Sequence, residues 1–129
     1  MFFLEFLYEN DMSEFFLNLS DFHIYKWSDY FDVPLTEDNV RLIVGLNENN
    51  SRIVSKIHKT ALSLPTTMMT GYIFVQSGTL NIFSDSMNKN ISLHDGEFVK
   101  YLSGHYMLEH SRNSKWLIMW LYEELLEKK

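Results

Sequence analysis

The residue types able to do chemistry in this chain are five histidines, His23, His58, His94, His105 and His110, and a set of carboxylates, in a 129-residue sequence without cysteine. The lack of cysteine removes disulfides, thiolate nucleophiles and Cys-ligated zinc together, and it fits a reducing compartment. His105, Met107 and Glu109 alternate, so in an extended strand they share one face; a His105–Glu109 pair for general acid–base work is conceivable there, but a solvated carboxylate is the plainer reading of Glu109. His110 has the opposite parity. His58 shares its face with Lys56 and Thr60, His94 belongs to a turn, and His23 opens a strand. A metal ion needs three such groups to converge, and this spacing offers no clustered pair. Each histidine therefore reads as a surface or half-buried side chain, with His105 a partial exception. Ser77-Gly78 and Ser103-Gly104 lie outside any Gly-x-Ser-x-Gly elbow and read as turns, and there is no glycine-rich phosphate loop. Met68 with Met69, and Met107 with Met119, could line an apolar cavity, since methionine adapts to irregular ligands, but core filler is the plainer reading.

The elements that must position these residues are mostly strands. Between Gly71 and Gly104, short β-patterned runs are separated by single glycines, with turns at Ser77-Gly78 and Asp95-Gly96. Alternation predicts strands at His23 to Trp27, Asn39 to Leu46, Arg52 to Leu64 (ending at Pro65), Tyr72 to Gln76, Thr79 to Ser84, Ile91 to Leu93, Phe98 to Tyr101, His105 to Glu109 and Trp116 to Tyr122. The last is apolar on both faces, so it should be buried on both sides or lie between subunits. Residues 1–21 are ambiguous between strand and helix, with a helical turn beginning at Ser13, and Glu123 to Lys129 is compatible with one more turn. Many short strands at regular spacing predict a sandwich or barrel in one domain, residues 1–129.

The net charge of −6 is uneven: residues 1–38 carry nine acids against the single base Lys26, and the remainder is slightly basic. Such an acidic front disfavours direct nucleic-acid binding. It reads as a solvated face or as a docking surface for a protein partner. The front is also rich in rings, including Phe15, Phe16, Tyr25, Trp27, Tyr30 and Phe31, which are expected to cover a sheet or to form a homodimer contact. The apolar opening lacks a basic flank and is interrupted by Glu5 and Glu9, so neither a membrane span nor a secretion signal is expected, and a cytoplasmic location is.

The runs Tyr72-Ile-Phe-Val-Gln-Ser-Gly78-Thr-Leu-Asn-Ile, Ile91-Ser-Leu-His-Asp-Gly96-Glu-Phe-Val and Ser103-Gly104-His105 resemble the two motifs of the cupin family, across residues 60–122. The resemblance implies an all-β, RmlC-like double-stranded β-helix, or jelly-roll barrel, behind an irregular or partly helical N-terminal segment. It is similar in style to the sensor domains of AraC-type regulators, although too little chain follows Tyr122 for a helix-turn-helix. Catalytic members hold a divalent metal on two histidines and a glutamate from the first motif and a third histidine from the second. Here the paired-histidine places fall within Leu64 to Thr67, the glutamate place is Gly71 and the third histidine place is Met107. These side chains are no hard-metal set, so no cofactor and no conventional metal site are expected.

The resulting expectation is a noncatalytic barrel that binds a small molecule or acts as a regulatory module, with Tyr72, Phe74, Phe98, Tyr101, His105 and Met107 as its lining. Two other readings remain at this point. One is a small acidic protein-binding module, such as an inhibitor, immunity protein or regulatory subunit. The other is a cryptic enzyme using His105 with a carboxylate.

Overall fold

Two antiparallel sheets and a short helical lead-in account for the computed structural model, which describes residues 13–44 and 51–121. The lead-in comprises α1 (Ser13–Leu17), β1 (Ile24–Lys26), a 3-10 turn (Trp27–Asp29) and α2 (Glu37–Val44). There follow β2 (Ser51–His58), β3 (Leu62–Met68), β4 (Gly71–Ser77), β5 (Leu80–Ser84), β6 (Lys89–Leu93), β7 (Glu97–Tyr101), β8 (Gly104–His110) and β9 (Ser114–Leu121). One sheet has the order β1-β7-β4-β9-β2 and the other β3-β8-β5-β6. From β2 to β9, every connection crosses from one sheet to the other except the β5–β6 hairpin. Eight strands wound in this way form the all-β jelly roll.

The crossings reassign the glycine turns. Ser77-Gly78 and Asp95-Gly96 do not close hairpins, because β4 and β7 belong to one sheet and β5 and β6 to the other. They are corners at which the chain changes sheet, and both glycines have positive φ, +88° and +81°. The corners are tied side by side: the Gly78 amide donates to Asp95 Oδ1 at 2.7 Å, and the Gly96 amide donates to the Val75 carbonyl at 2.8 Å. At the opposite end, Thr70 and Ser103 link two more crossings reciprocally, with the Thr70 amide donating to Ser103 Oγ at 2.7 Å and the Ser103 amide to Thr70 Oγ1 at 3.0 Å.

Two strand expectations are corrected. The run from Asn39 is helical in α2, because Thr36 Oγ1 accepts the Asn39 amide at 3.1 Å as an N-cap, Glu37 and Asp38 occupy the first turn, and Val40 and Ile43 bury one face. The run from Arg52 is two strands, β2 and β3, separated where residues 59–61 carry the chain between sheets. Pro65 lies inside β3 rather than ending it, as an edge position permits. The turn-rich residues 47–50, the opening segment 1–12 and the charged end 122–129 lie outside the described residues.

The sheet containing β9 is buried on both faces within one chain. On its outer face Tyr72, Phe74, Phe98, Leu117, Met119 and Leu121 meet Phe16, Trp27, Phe31, Val40 and Ile43 of the lead-in. Rings dominate this layer: Phe16 stacks on Phe31 at 5.8 Å, Tyr25 on Phe98 at 5.5 Å and Phe74 on Phe98 at 5.3 Å, while Trp27 Nε1 donates to the Val33 carbonyl at 2.7 Å. On its inner face Ile73, Val75, Val99, Trp116 and Ile118 meet Leu80, Ile82, Leu93, Tyr106 and Leu108 inside the barrel. The N-terminal rings named here thus cover a sheet, and β9 is an interior strand flanked by β4 and β2, so it is not the edge through which two copies would pair.

Candidate functional site

A cavity of about 380 Å³ lies inside the barrel where β2 and β9 of one sheet face β3 and β8 of the other. Period-two alternation brings most of the lining to it, with Thr67 and Met69, on either side of Met68, as the exceptions. β2 supplies Lys56 and His58, β3 supplies Leu64, Thr66 and Met68, β8 supplies Leu108 and His110, and β9 supplies Trp116, Ile118 and Trp120, with Tyr101 from β7. Most of this wall is apolar. Leu64 and Thr66 occupy the region of the paired-histidine places, so an isobutyl group and a hydroxyl-bearing side chain stand there.

The glutamate place has no room for a side chain. A Cβ on Gly71 would run into the Met119 carbonyl oxygen and lie 2.6 Å from Trp120 Cα, because β4 and β9 approach closely there. The third histidine place, Met107, faces out of the barrel, since Tyr106 and Leu108 are its inward neighbours. Among the described residues, no group of three or more His, Cys, Asp or Glu side chains is placed to hold a metal ion.

The polar end of the cavity is built by His58 and His110, whose rings stack nearly parallel at 3.7 Å, with the Trp116 ring 6.0 Å from His58. The register creates this cluster: His58 pairs with Ser114 and Lys56 with Trp116 across the β2–β9 ladder, while His110 ends β8 opposite Leu62 and Leu80. His58 Nε2, His110 Nε2, Trp116 Nε1 and Tyr101 Oη are buried without a hydrogen-bond partner in the protein. Burial, reinforced by His110 and then Lys56, lowers the His58 pKa below its ordinary value. Burial also pushes the Tyr101 phenol far above the ordinary tyrosine range and Tyr106 up to about 12. Both phenols are therefore neutral hydrogen-bonding groups near neutral pH, and Tyr106 donates to the Leu102 carbonyl.

The six expected lining residues separate into three groups. Tyr101 lines the cavity. Tyr72, Phe74 and Phe98 lie on the outer face of the same sheet beneath the N-terminal rings, because they have the opposite parity to Ile73, Val75 and Val99. His105 and Met107 point outward from β8, one position out of step with Tyr106, Leu108 and His110. His105 Nδ1 is 2.9 Å from Thr67 Oγ1 on that outer face, and Glu109 accepts from Asn81 Nδ2 at 3.4 Å, so the conceivable acid–base pair lies away from the cavity with each member partnered separately. Expectation missed Lys56, His58, Leu64, Thr66, Leu108, His110 and Trp116 as lining. The signal for three of them was present, in the shared face of Lys56 and His58 and in the parity of His110 opposite to His105.

No protein-family model and no curated protein matches the chain. Among solved structures it is similar to a structural-genomics protein of unknown function from Rhizobium leguminosarum bv. viciae 3841, at 20% identity and TM-score 0.48, covering 60% of this chain and 75% of that one. It is also similar to the EutQ protein of Clostridium difficile, at 18% identity and TM-score 0.44, with 58% of each chain covered. A cupin-2 domain containing protein from Shewanella frigidimarina NCIMB 400 is a third, at 14% identity and TM-score 0.45, covering 84% of this chain and 89% of that one. The structural neighbours thus include a cupin, and the jelly-roll assignment stands on the strand order itself. No helix among the described residues is long and apolar enough to cross a membrane.

Proposed function

We propose that this chain is a noncatalytic small-molecule-binding module that receives its ligand in the cavity between β2, β9, β3 and β8. The observation that carries the reading is an apolar cavity of about 380 Å³ whose wall residues include four buried polar atoms without a protein partner. Such atoms are costly to leave unpaired, by about 1–3 kcal/mol each, and a small concave site with a few convergent polar groups is what ligand recognition requires. The noncatalytic part rests on side-chain chemistry: Leu64 and Thr66 in the region of the paired-histidine places and Gly71 at the glutamate place offer neither imidazole nor carboxylate. A regulatory or sensor role follows from binding without turnover.

The test is a thermal-shift screen of small organic molecules on the native chain and on Thr66→Trp, which fills the cavity. Stabilisation of the native chain that is lost in a folded Thr66→Trp supports the reading. Equal stabilisation of both would place the ligand elsewhere.

A further inference from the structure

We propose that the ligand is a small organic acid with an apolar body, and that it binds with its carboxylate at the His58–His110–Trp116 end of the cavity while one proton is taken up by the histidine pair. This rests on the reading of the cavity as the ligand site and adds the ligand's chemistry.

The wall chemistry selects an anion. Trp116 Nε1 and Lys56 Nζ are donors only, and no aspartate or glutamate is among the cavity residues. The groups around His58 are Lys56 from its own strand, Ser114 and Trp116 from β9, His110 from β8 and Leu64 and Thr66 from β3, none of them acidic. The rest of the wall runs along Leu108 and Ile118 to Met68, Met69 and Trp120. Trp116 and Trp120 are four positions apart on β9, so this apolar track extends for roughly 13 Å at about 3.3 Å per residue. A carboxylate with a short hydrocarbon body matches that division.

The stacked pair supplies the proton coupling: His58 Nε2 and His110 Nε2 are both buried without a hydrogen-bond partner in the protein, so both can meet the anion. A carboxylate oxygen accepts and cannot donate, so a ring nitrogen meets it only as N–H, and the imidazolium is the form that offers N–H at every ring nitrogen. Stacking at 3.7 Å sets the two rings too close for both to be charged at little cost, which limits the pair to one proton. Burial and the charge of His110 hold the His58 pKa low, and a carboxylate seated beside the ring acts in the opposite sense, favouring a proton on His58 as the anion binds. Linkage then fixes the sign: affinity falls as pH rises, by up to about tenfold per unit.

Calorimetric titration with hexanoate and with its neutral counterpart hexanamide tests this on the native chain. Hexanoate should bind at least tenfold more tightly than hexanamide. Its heat in HEPES and in Tris, at about pH 7.5, should differ by the amount corresponding to uptake of about one proton. Its affinity should fall as pH is raised from about 6 to about 8, where its own carboxyl stays ionised. Replacing both rings, His58→Gln with His110→Gln, should remove the proton uptake and most of the preference, while His105→Gln, on the outer face, should change neither. Equal binding of hexanamide, or hexanoate binding without proton uptake, overturns the proposal but leaves the cavity reading standing. If neither probe binds and the screen of varied molecules finds no ligand either, both fall.

Discussion

The two faces of the sheet β1-β7-β4-β9-β2 are both buried, yet they are finished differently. The outer face is closed by rings from the N-terminal segment, and Phe16, Phe74 and Phe98 are fully buried there. Its Trp27 indole has a carbonyl partner at 2.7 Å. The inner face carries an open cavity, and its Trp116 indole has no partner. Adjacent residues of a single strand, such as Leu117 and Ile118, belong to these two environments. The comparison teaches that neither burial nor an unpaired polar atom alone separates the faces, since Tyr72 Oη on the outer face also lacks a hydrogen-bond partner: the outer face is closed over by rings, and the inner face keeps open space beside its unpaired groups.

The largest effect expected from this contrast is on the outer face. Phe98→Ala removes a fully buried ring that touches Tyr25, Trp27 and Phe74, and should cost about 3–5 kcal/mol by denaturant unfolding. A loss under about 1 kcal/mol would break the comparison by showing that this layer is loosely packed. The two glycine corners come next and should differ from each other. Gly78→Val combines a positive φ with a Cβ 2.9 Å from Ser114 Cα and should cost about 2–4 kcal/mol, whereas Gly96→Val meets open space and should cost only the backbone term of about 1–2 kcal/mol. Equal losses would show that the clash at Gly78 relaxes.

Smaller effects belong to the inner face. Because the folded-state pKa of His58 lies below its unfolded value, the unfolded chain binds the proton more readily, so stability contributed by neutral His58 is present above the unfolded pKa near 6.5 and is lost as pH falls through the window below it. His58→Gln should flatten that acid limb of a stability–pH profile; an unchanged slope would assign it to other groups. Thr66→Val, which keeps the size of a half-buried cavity residue, should shift stability by about 0.5 kcal/mol or less while altering ligand affinity, checked by parallel melting and titration.

The strand grammar from Tyr72 to Leu121 is legible because alternation marks the strands and glycines stand at three of the connections, at Gly78, Gly96 and Gly104, yet what those turns connect is not. A positive-φ glycine suits a hairpin and a sheet crossing equally, so Gly78 and Gly96 indicated a turn without indicating which strands it joins. The α2 segment reads as a strand because Val40, Leu42, Val44 and Leu46 alternate, although Thr36 ahead of Glu37 and Asp38 carries the helix-start signal. The site was less legible than the fold for one physical reason. Both faces of the central sheet are apolar, so alternation in Tyr72, Ile73, Phe74 and Val75 separates two faces without saying which one looks into the barrel. On β8 the same ambiguity exchanged His105 and Met107 for Tyr106, Leu108 and His110.

The most direct measurement follows the tryptophan indole N–H resonances by nuclear magnetic resonance as hexanoate is added. Trp116 and Trp120 line the cavity, while Trp27 reports the outer face. Binding inside the barrel predicts that the Trp116 resonance moves most, that Trp120 moves with it and that Trp27 stays in place. Movement of Trp27 with Trp116 unchanged would contradict the account.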